Sequence, residues 1–143
     1  MKIEKILFPT DFSARTRNAR EHAIYLASAL GADLYLLHAI EPLKYEEADD
    51  EIREFYRTLE AQMAEKMAGE REIFEKNGIT VVTDILIGPR WKVINAYALE
   101  KGIDLIVMGS HGIRTDTGEV SVGTTSHKVM FSSPCPVLIV RHE

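Results

Sequence analysis

The sequence predicts an α/β domain built on a parallel β-sheet, and three observations carry that expectation. Five short apolar runs alternate with four longer segments of helical period. The runs are continuously apolar, as in Leu105-Ile106-Val107-Met108, which suits strands covered on both faces. Glycine stands where several of the helical segments should stop.

The elements follow in order. The first strand is expected over residues 3–8. Residues 13–30 place Ala19, Ala23, Leu26, Ala27 and Leu30 three and four apart, one face of a helix. Ser13 stands where an N-cap belongs and Gly31 where the helix should end. A second strand is expected over 33–39. Residues 50–77 read as a long helix ended by Asn77-Gly78. Its Ile52, Phe55, Leu59, Met63, Met67 and Phe74 recur near the helical period and read as core packing. A third strand over 79–86 precedes a helix over 90–101 that stops at Gly102, with Trp91 as a packing residue near its start. The fourth strand, 104–108, precedes a helix over 123–131 that ends before Ser133-Pro134. The fifth covers 136–140. Strand–helix alternation of this kind implies right-handed crossovers with helices on both faces of the sheet.

The 143 residues fit one domain, 1–143, with 45% apolar and 27% charged residues. A net charge of -5 argues against general nucleic-acid binding, which needs clustered lysine and arginine. It leaves room for a small anion held by backbone N–H groups at a helix start. The acidic stretch 46–51 reads as a solvated loop leading into a helix start, where carboxylates meet the positive end of the dipole. Cys135 is the one cysteine, so no internal disulfide can form. The run Ile6-Leu7-Phe8 is too short for a signal core or a membrane span. These features together read as a cytoplasmic chain with no membrane partner.

In open α/β sheets a ligand sits beyond the carboxyl ends of the strands, where the strand order reverses. Two strand ends carry distinctive chemistry: Pro9-Thr10-Asp11-Phe12-Ser13 and Met108-Gly109-Ser110-His111-Gly112. Asp11 can cap the following helix or accept from ribose hydroxyls. Gly109 and Gly112 permit a tight turn or close approach of a ligand to the backbone. Gly123-Thr124-Thr125 opens the last helix and offers N–H and O–H donors suited to phosphate oxygens. Residues 118–125 nearly spell a phosphate-binding P-loop, but Thr124 stands where lysine is required, and no strand directly precedes the segment. The five histidines, His22, His38, His111, His127 and His142, show no metal-ligand spacing, so no metal site is expected. His38 ends an apolar strand and reads as packed, and His111 lies in the glycine turn. No nucleophile elbow occurs, and Cys135 between two prolines reads as an inert thiol, so no catalytic residue is named.

Four segments taken together resemble the universal stress protein family. They are Lys5 to Ser13, Ala23 to Ala39, Asp104 to Gly112 and Ser133 to Val140, spread over nearly the whole chain in the family's order. The resemblance implies a Rossmann-like fold of the adenine nucleotide alpha hydrolase-like type. Its five parallel strands would lie in the order 3-2-1-4-5, with homodimers paired through the C-terminal strand. It also implies a nucleotide site. There Asp11 would bond ribose or adenine, and the backbone at Ala39 would bond the adenine edge. Pro9, Thr10 and Met108 would line the base pocket. Gly109 and Gly112 would approach ribose and phosphates, and Gly123, Thr124 and Thr125 would hold the phosphate tail. ATP is the nucleotide expected, with AMP or another adenine nucleotide as alternatives.

Family members that bind ATP show G-x2-G-x9-G-[ST]. Here ten residues separate Gly112 from Gly123, one more than that pattern, and the loop carries Arg114, Asp116 and Glu119. The function expected is an adenine-nucleotide-binding stress-response or signalling module with little or no turnover. The alternatives are a slow Mg-dependent ATPase and a nucleotide-free dimeric interaction protein.

Overall fold

A computed structural model describes residues 1–42, 50–110 and 124–141. Five strands, β1 (Lys5–Pro9), β2 (Asp33–Ile40), β3 (Val81–Ile87), β4 (Leu105–Ser110) and β5 (Val137–Arg141), form one sheet. They alternate with four helices, α1 (Arg17–Leu30), α2 (Asp50–Glu75), α3 (Arg90–Lys101) and α4 (Thr124–Ser132). The strands lie in the order β3-β2-β1-β4-β5 and every neighbouring pair is parallel, as the resemblance implied. No helix among the described residues is long and apolar enough to cross a membrane.

The continuous apolar runs are explained by the two cores. Ile6, Phe8, Leu34, Leu36 and Val107 face a cluster with Ala19, Ala23 and Ala27 of α1 and Met67 and Phe74 of α2. Leu7, Leu37, Ile106 and Met108 face the other side, against Ile94, Tyr97 and Ala98 of α3 and Val129 of α4. Successive strand residues point to opposite faces, so a strand buried on both sides must be apolar at every position. The small side chains of α1 let that helix lie close to the sheet. Phe8 and Phe74, both fully buried, meet at 5.7 Å with tilted rings. Each such burial contributes about 2–3 kcal/mol.

Helix ends follow local chemistry. Gly31 and Gly102 adopt left-handed φ of 65° and 66°, and their N–H groups return to carbonyls of the preceding turn. The expectation at Ser13 needs correction. Its side chain makes no cap bond, and its Oγ is buried with no partner among the described residues. A 3-10 turn over Ala14–Thr16 precedes α1, and the Ser13 carbonyl accepts from both N and Oγ1 of Thr16. The expectation for α2 holds over its C-terminal half. Met67 and Phe74 are buried, whereas Phe55 is 48% exposed. At 26 residues α2 outruns the 7-residue strand it packs on. A helix rises 1.5 Å per residue against about 3.3 Å for a strand, so its first turns still extend past the sheet.

Candidate functional site

The strand order puts the crossover between β1 and β4, with β2 on the far side of β1. A cleft opens at the carboxyl ends of these three strands. It encloses ≈ 470 Å³ counting its open mouth. Its walls include Pro9, Thr10 and Asp11 after β1, Leu37 and Ala39 of β2, and Met108 and Gly109 of β4. Arg90 and Ile94 of α3 and Thr125 of α4 complete it. Seven sequence-predicted residues, Pro9, Thr10, Asp11, Ala39, Met108, Gly109 and Thr125, therefore share one cleft. Thr124 begins α4 beside them. Gly112, Gly123 and His111 lie outside the described residues.

The loop after β1 is tightly tied. The Thr10 N–H donates to the Leu37 carbonyl at 2.9 Å, the last link holding β1 to β2. Thr10 Oγ1 then accepts from the Phe12 N–H at 3.0 Å, and Asp11 Oδ1 accepts from the Ser13 N–H at 2.9 Å. These side-chain bonds replace ladder bonds and turn the chain out of the sheet. Phe12 takes a left-handed φ of 64°, uncommon for a bulky residue. Asp11 thus satisfies a backbone donor near the helix start, the bland role open to it, while its carboxylate also lines the cleft.

That turn exposes one backbone edge of β2. The Leu37 carbonyl points toward β1, and the Ile40 carbonyl accepts from the Gly88 N–H on the β3 side. Along a strand the backbone groups alternate sides, so the N–H and C=O of Ala39 point the same way as those of Leu37. They face the β1 side beyond Pro9, the last β1 residue in the ladder. A donor and an acceptor on one backbone residue match the hydrogen-bonding edge of a purine. Ala39, Met108 and Thr10 are themselves buried, which makes this part of the cleft a snug, largely apolar wall.

On the opposite side, Ser126 Oγ donates to the Gly109 carbonyl at 2.8 Å within the protein interior. This bond ties the first turn of α4 to the end of β4, so the positive end of that helix faces the cleft beside Gly109 and Thr125. Ser126 went unnoticed in the sequence, where it is one more hydroxyl after Thr124-Thr125. Arg90 went unnoticed as well, because nothing local marks it. Its backbone N–H donates to Glu41 Oε1 at 3.1 Å, and its Nε lies 3.8 Å from the same oxygen.

Behind the loop sits His38, buried and bonded through Nδ1 to the Thr10 carbonyl at 2.8 Å. A carbonyl can only accept, so Nδ1 carries the proton. Burial holds the imidazole below its ordinary pKa of 6.5, against the raising effect of the Thr10 bond. Cys135 is half-buried, and that burial pushes its thiol pKa up, in keeping with an inert thiol. Trp91 packs against the core shared by α3 and α4, with the ammonium groups of Lys92 and Lys128 each 5.6 Å from its ring centre.

Comparison with known proteins agrees with this architecture. The family model described as "Universal stress protein family" matches residues 2–141. Universal stress protein MJ0577 of Methanocaldococcus jannaschii is 28% identical over 156 residues, covering 98% of this chain and 96% of the relative. The solved structure of MJ0577 matches with a TM-score of 0.89 at 28% identity, covering 100% of this chain and 99% of the other. Two more distant structures share the fold. One is a universal stress protein in complex with cAMP, with a TM-score of 0.76, 21% identity and full coverage of both chains. The other is the universal stress protein from Archaeoglobus fulgidus in complex with dAMP, with a TM-score of 0.69 and 22% identity, covering 97% and 98%. With the family model spanning almost its whole length, this chain belongs to the universal stress protein family.

Proposed function

We propose that this protein holds an adenine nucleotide in the cleft beyond β1, β2 and β4 and acts as a stress-response or signalling module with little or no turnover. One observation carries the reading. The cleft joins an apolar wall, where the Ala39 backbone edge faces the β1 side, to a helix N-terminus beside Gly109 and Thr125. The first suits a base and the second suits phosphate. The complexes of two family members with cAMP and dAMP support an adenine nucleotide as the ligand class.

In this reading Asp11 accepts from the ribose hydroxyls, while Pro9, Thr10 and Met108 enclose the base. Gly109, Gly112, Gly123, Thr124 and Thr125 receive the phosphates. ATP is the nucleotide proposed, with AMP the nearest alternative, and magnesium belongs to the slow-ATPase alternative. The same proposal makes the protein a cytoplasmic homodimer. The edge strand β5, with Leu138 36% exposed, supplies a pairing surface.

Native mass spectrometry of freshly purified protein tests the ligand. A co-purified adenine nucleotide, or a raised melting temperature on adding ATP, AMP or cAMP, is expected. No retained mass and no thermal shift with any of the three would leave the nucleotide-free interaction protein as the better reading. Magnesium-dependent phosphate release abolished by Gly123→Val would instead establish the slow ATPase.

A further inference from the structure

Two helix N-termini border the cleft, that of α3 at Arg90 and that of α4 at Thr124. Both would attract an anion on dipole grounds. They differ in one respect. The α3 terminus already holds a carboxylate of the protein itself, since Glu41 Oε1 accepts from the Arg90 N–H at 3.1 Å. The same oxygen lies 3.8 Å from Arg90 Nε. A phosphate arriving there would meet Glu41 at close range, so its place is at α4. The Arg90 end of the cleft, walled by Leu37, Ala39 and Ile94, is left for the apolar part of the ligand.

Arg90 is therefore a cation at the base end. Its side chain is 46% exposed, so it borders the mouth of the cleft. The Glu41 carboxylate is bonded by the Arg90 backbone N–H, and its 3.8 Å approach to Nε is too long for a hydrogen bond, so the pair leaves the guanidinium N–H groups and its flat face available. A guanidinium plane stacks on aromatic rings, which a lysine ammonium cannot reproduce.

Resting on the nucleotide reading above, we propose that Arg90 is a specificity-determining residue whose guanidinium, steadied by Glu41, lies on the face of the bound base and takes no part in holding phosphate. It covers the purine from the α3 side while Ala39 reads its edge. The Glu41 carboxylate keeps the guanidinium near the base end by charge attraction alone.

The test is calorimetric titration of the full chain with adenosine, AMP and ATP, comparing the native protein with Arg90→Ala and Arg90→Lys. If Arg90 stacks on the base, Arg90→Ala weakens all three by a similar factor, about fivefold. Arg90→Lys does not restore the loss. A loss that grows from adenosine to ATP makes Arg90 a phosphate contact and overturns the inference while leaving the nucleotide site intact, and full rescue by lysine overturns the flat stacking of the guanidinium. Native protein that binds none of the three ligands overturns the nucleotide reading itself. Should Arg90→Ala fail to fold, Arg90→Gln, which keeps a flat polar end without the charge, carries the same comparison.

Discussion

His38 Nδ1 donates to the Thr10 carbonyl oxygen at 2.8 Å, and the His38 ring lies 4.7 Å from that of Phe12. One buried imidazole therefore holds both ends of the turn that carries Asp11. Phe12 at φ 64° is strained by about 1–3 kcal/mol, and it persists because the surrounding bonds over-determine the loop.

Replacing His38 with phenylalanine keeps the ring contact but removes the donor. The buried Thr10 carbonyl then lacks its partner, and a loss of about 1–3 kcal/mol is expected. The pH dependence has a definite sign. Desolvation lowers the folded-state pKa below 6.5, helped by Arg90 and Lys66 and opposed by the Thr10 bond and Asp11. The unfolded chain thus takes up the His38 proton first. The His38 contribution is complete above 6.5 and is lost as pH falls below it toward the folded-state pKa. Urea denaturation above and below that value should show the gap between native protein and His38→Phe narrowing on acidification. A gap that widens would contradict the buried neutral imidazole.

Asp11 does two jobs that substitution can separate. Asp11→Ala removes the acceptor for the Ser13 N–H and should cost about 1 kcal/mol of stability. Asp11→Asn retains a carbonyl oxygen there, so stability should return close to that of the native protein. Nucleotide affinity should remain about fivefold lower in Asp11→Asn, because a neutral acceptor bonds ribose hydroxyls more weakly than a carboxylate. Denaturation and titration on the same three proteins check both halves.

Gly88 leads into α3 with φ 157°, and a β-carbon there would stand 2.7 Å from Val93 Cγ2. Gly88→Ala should destabilise by about 1–3 kcal/mol and displace the start of α3, weakening the Glu41–Arg90 contact. Adding Val93→Ala makes room for the new methyl group, so the melting temperature of the pair should exceed that of Gly88→Ala alone. If the second substitution only lowers it further, the steric account of Gly88 is wrong.

Arg20 Nη1 meets Glu70 Oε1 at 2.8 Å, with side chains 22% and 11% exposed. The other Glu70 oxygen is buried and has no partner among the described residues. Arg20→Met strands a carboxylate in the core and should cost about 2 kcal/mol after allowance for residual solvent. The double replacement Arg20→Met with Glu70→Met should recover most of that loss, measured by chemical denaturation.

Much of this molecule is readable along the chain. Apolar continuity identifies Leu105 to Met108 as a two-sided strand, and Gly31 and Gly102 mark where helices stop. Such features depend on a few neighbouring residues, which is why pattern reveals them. Asp11, Gly109 and Thr125 were recognisable as a set because glycine, hydroxyl and carboxylate groups at strand ends and a helix start have few bland uses together.

Other features needed distant partners. Ser13 has the local look of a cap, yet the Asp11 and Thr10 turns set its surroundings and its hydroxyl bonds nothing described. The period of α2 runs past the sheet because its 26 residues are longer than the 7-residue β3 even at the smaller rise of a helix, so Phe55 is exposed where Met67 is not. Arg90 lines the cleft beside Glu41, 49 positions away, and the buried Ser126 ties α4 to Gly109, 17 positions away. Residue type and short-range spacing determined the elements and the chemistry available at their ends. The folded chain alone decided which way the backbone edge of Ala39 faces and which charges meet beside it, because those outcomes depend on where remote segments pack.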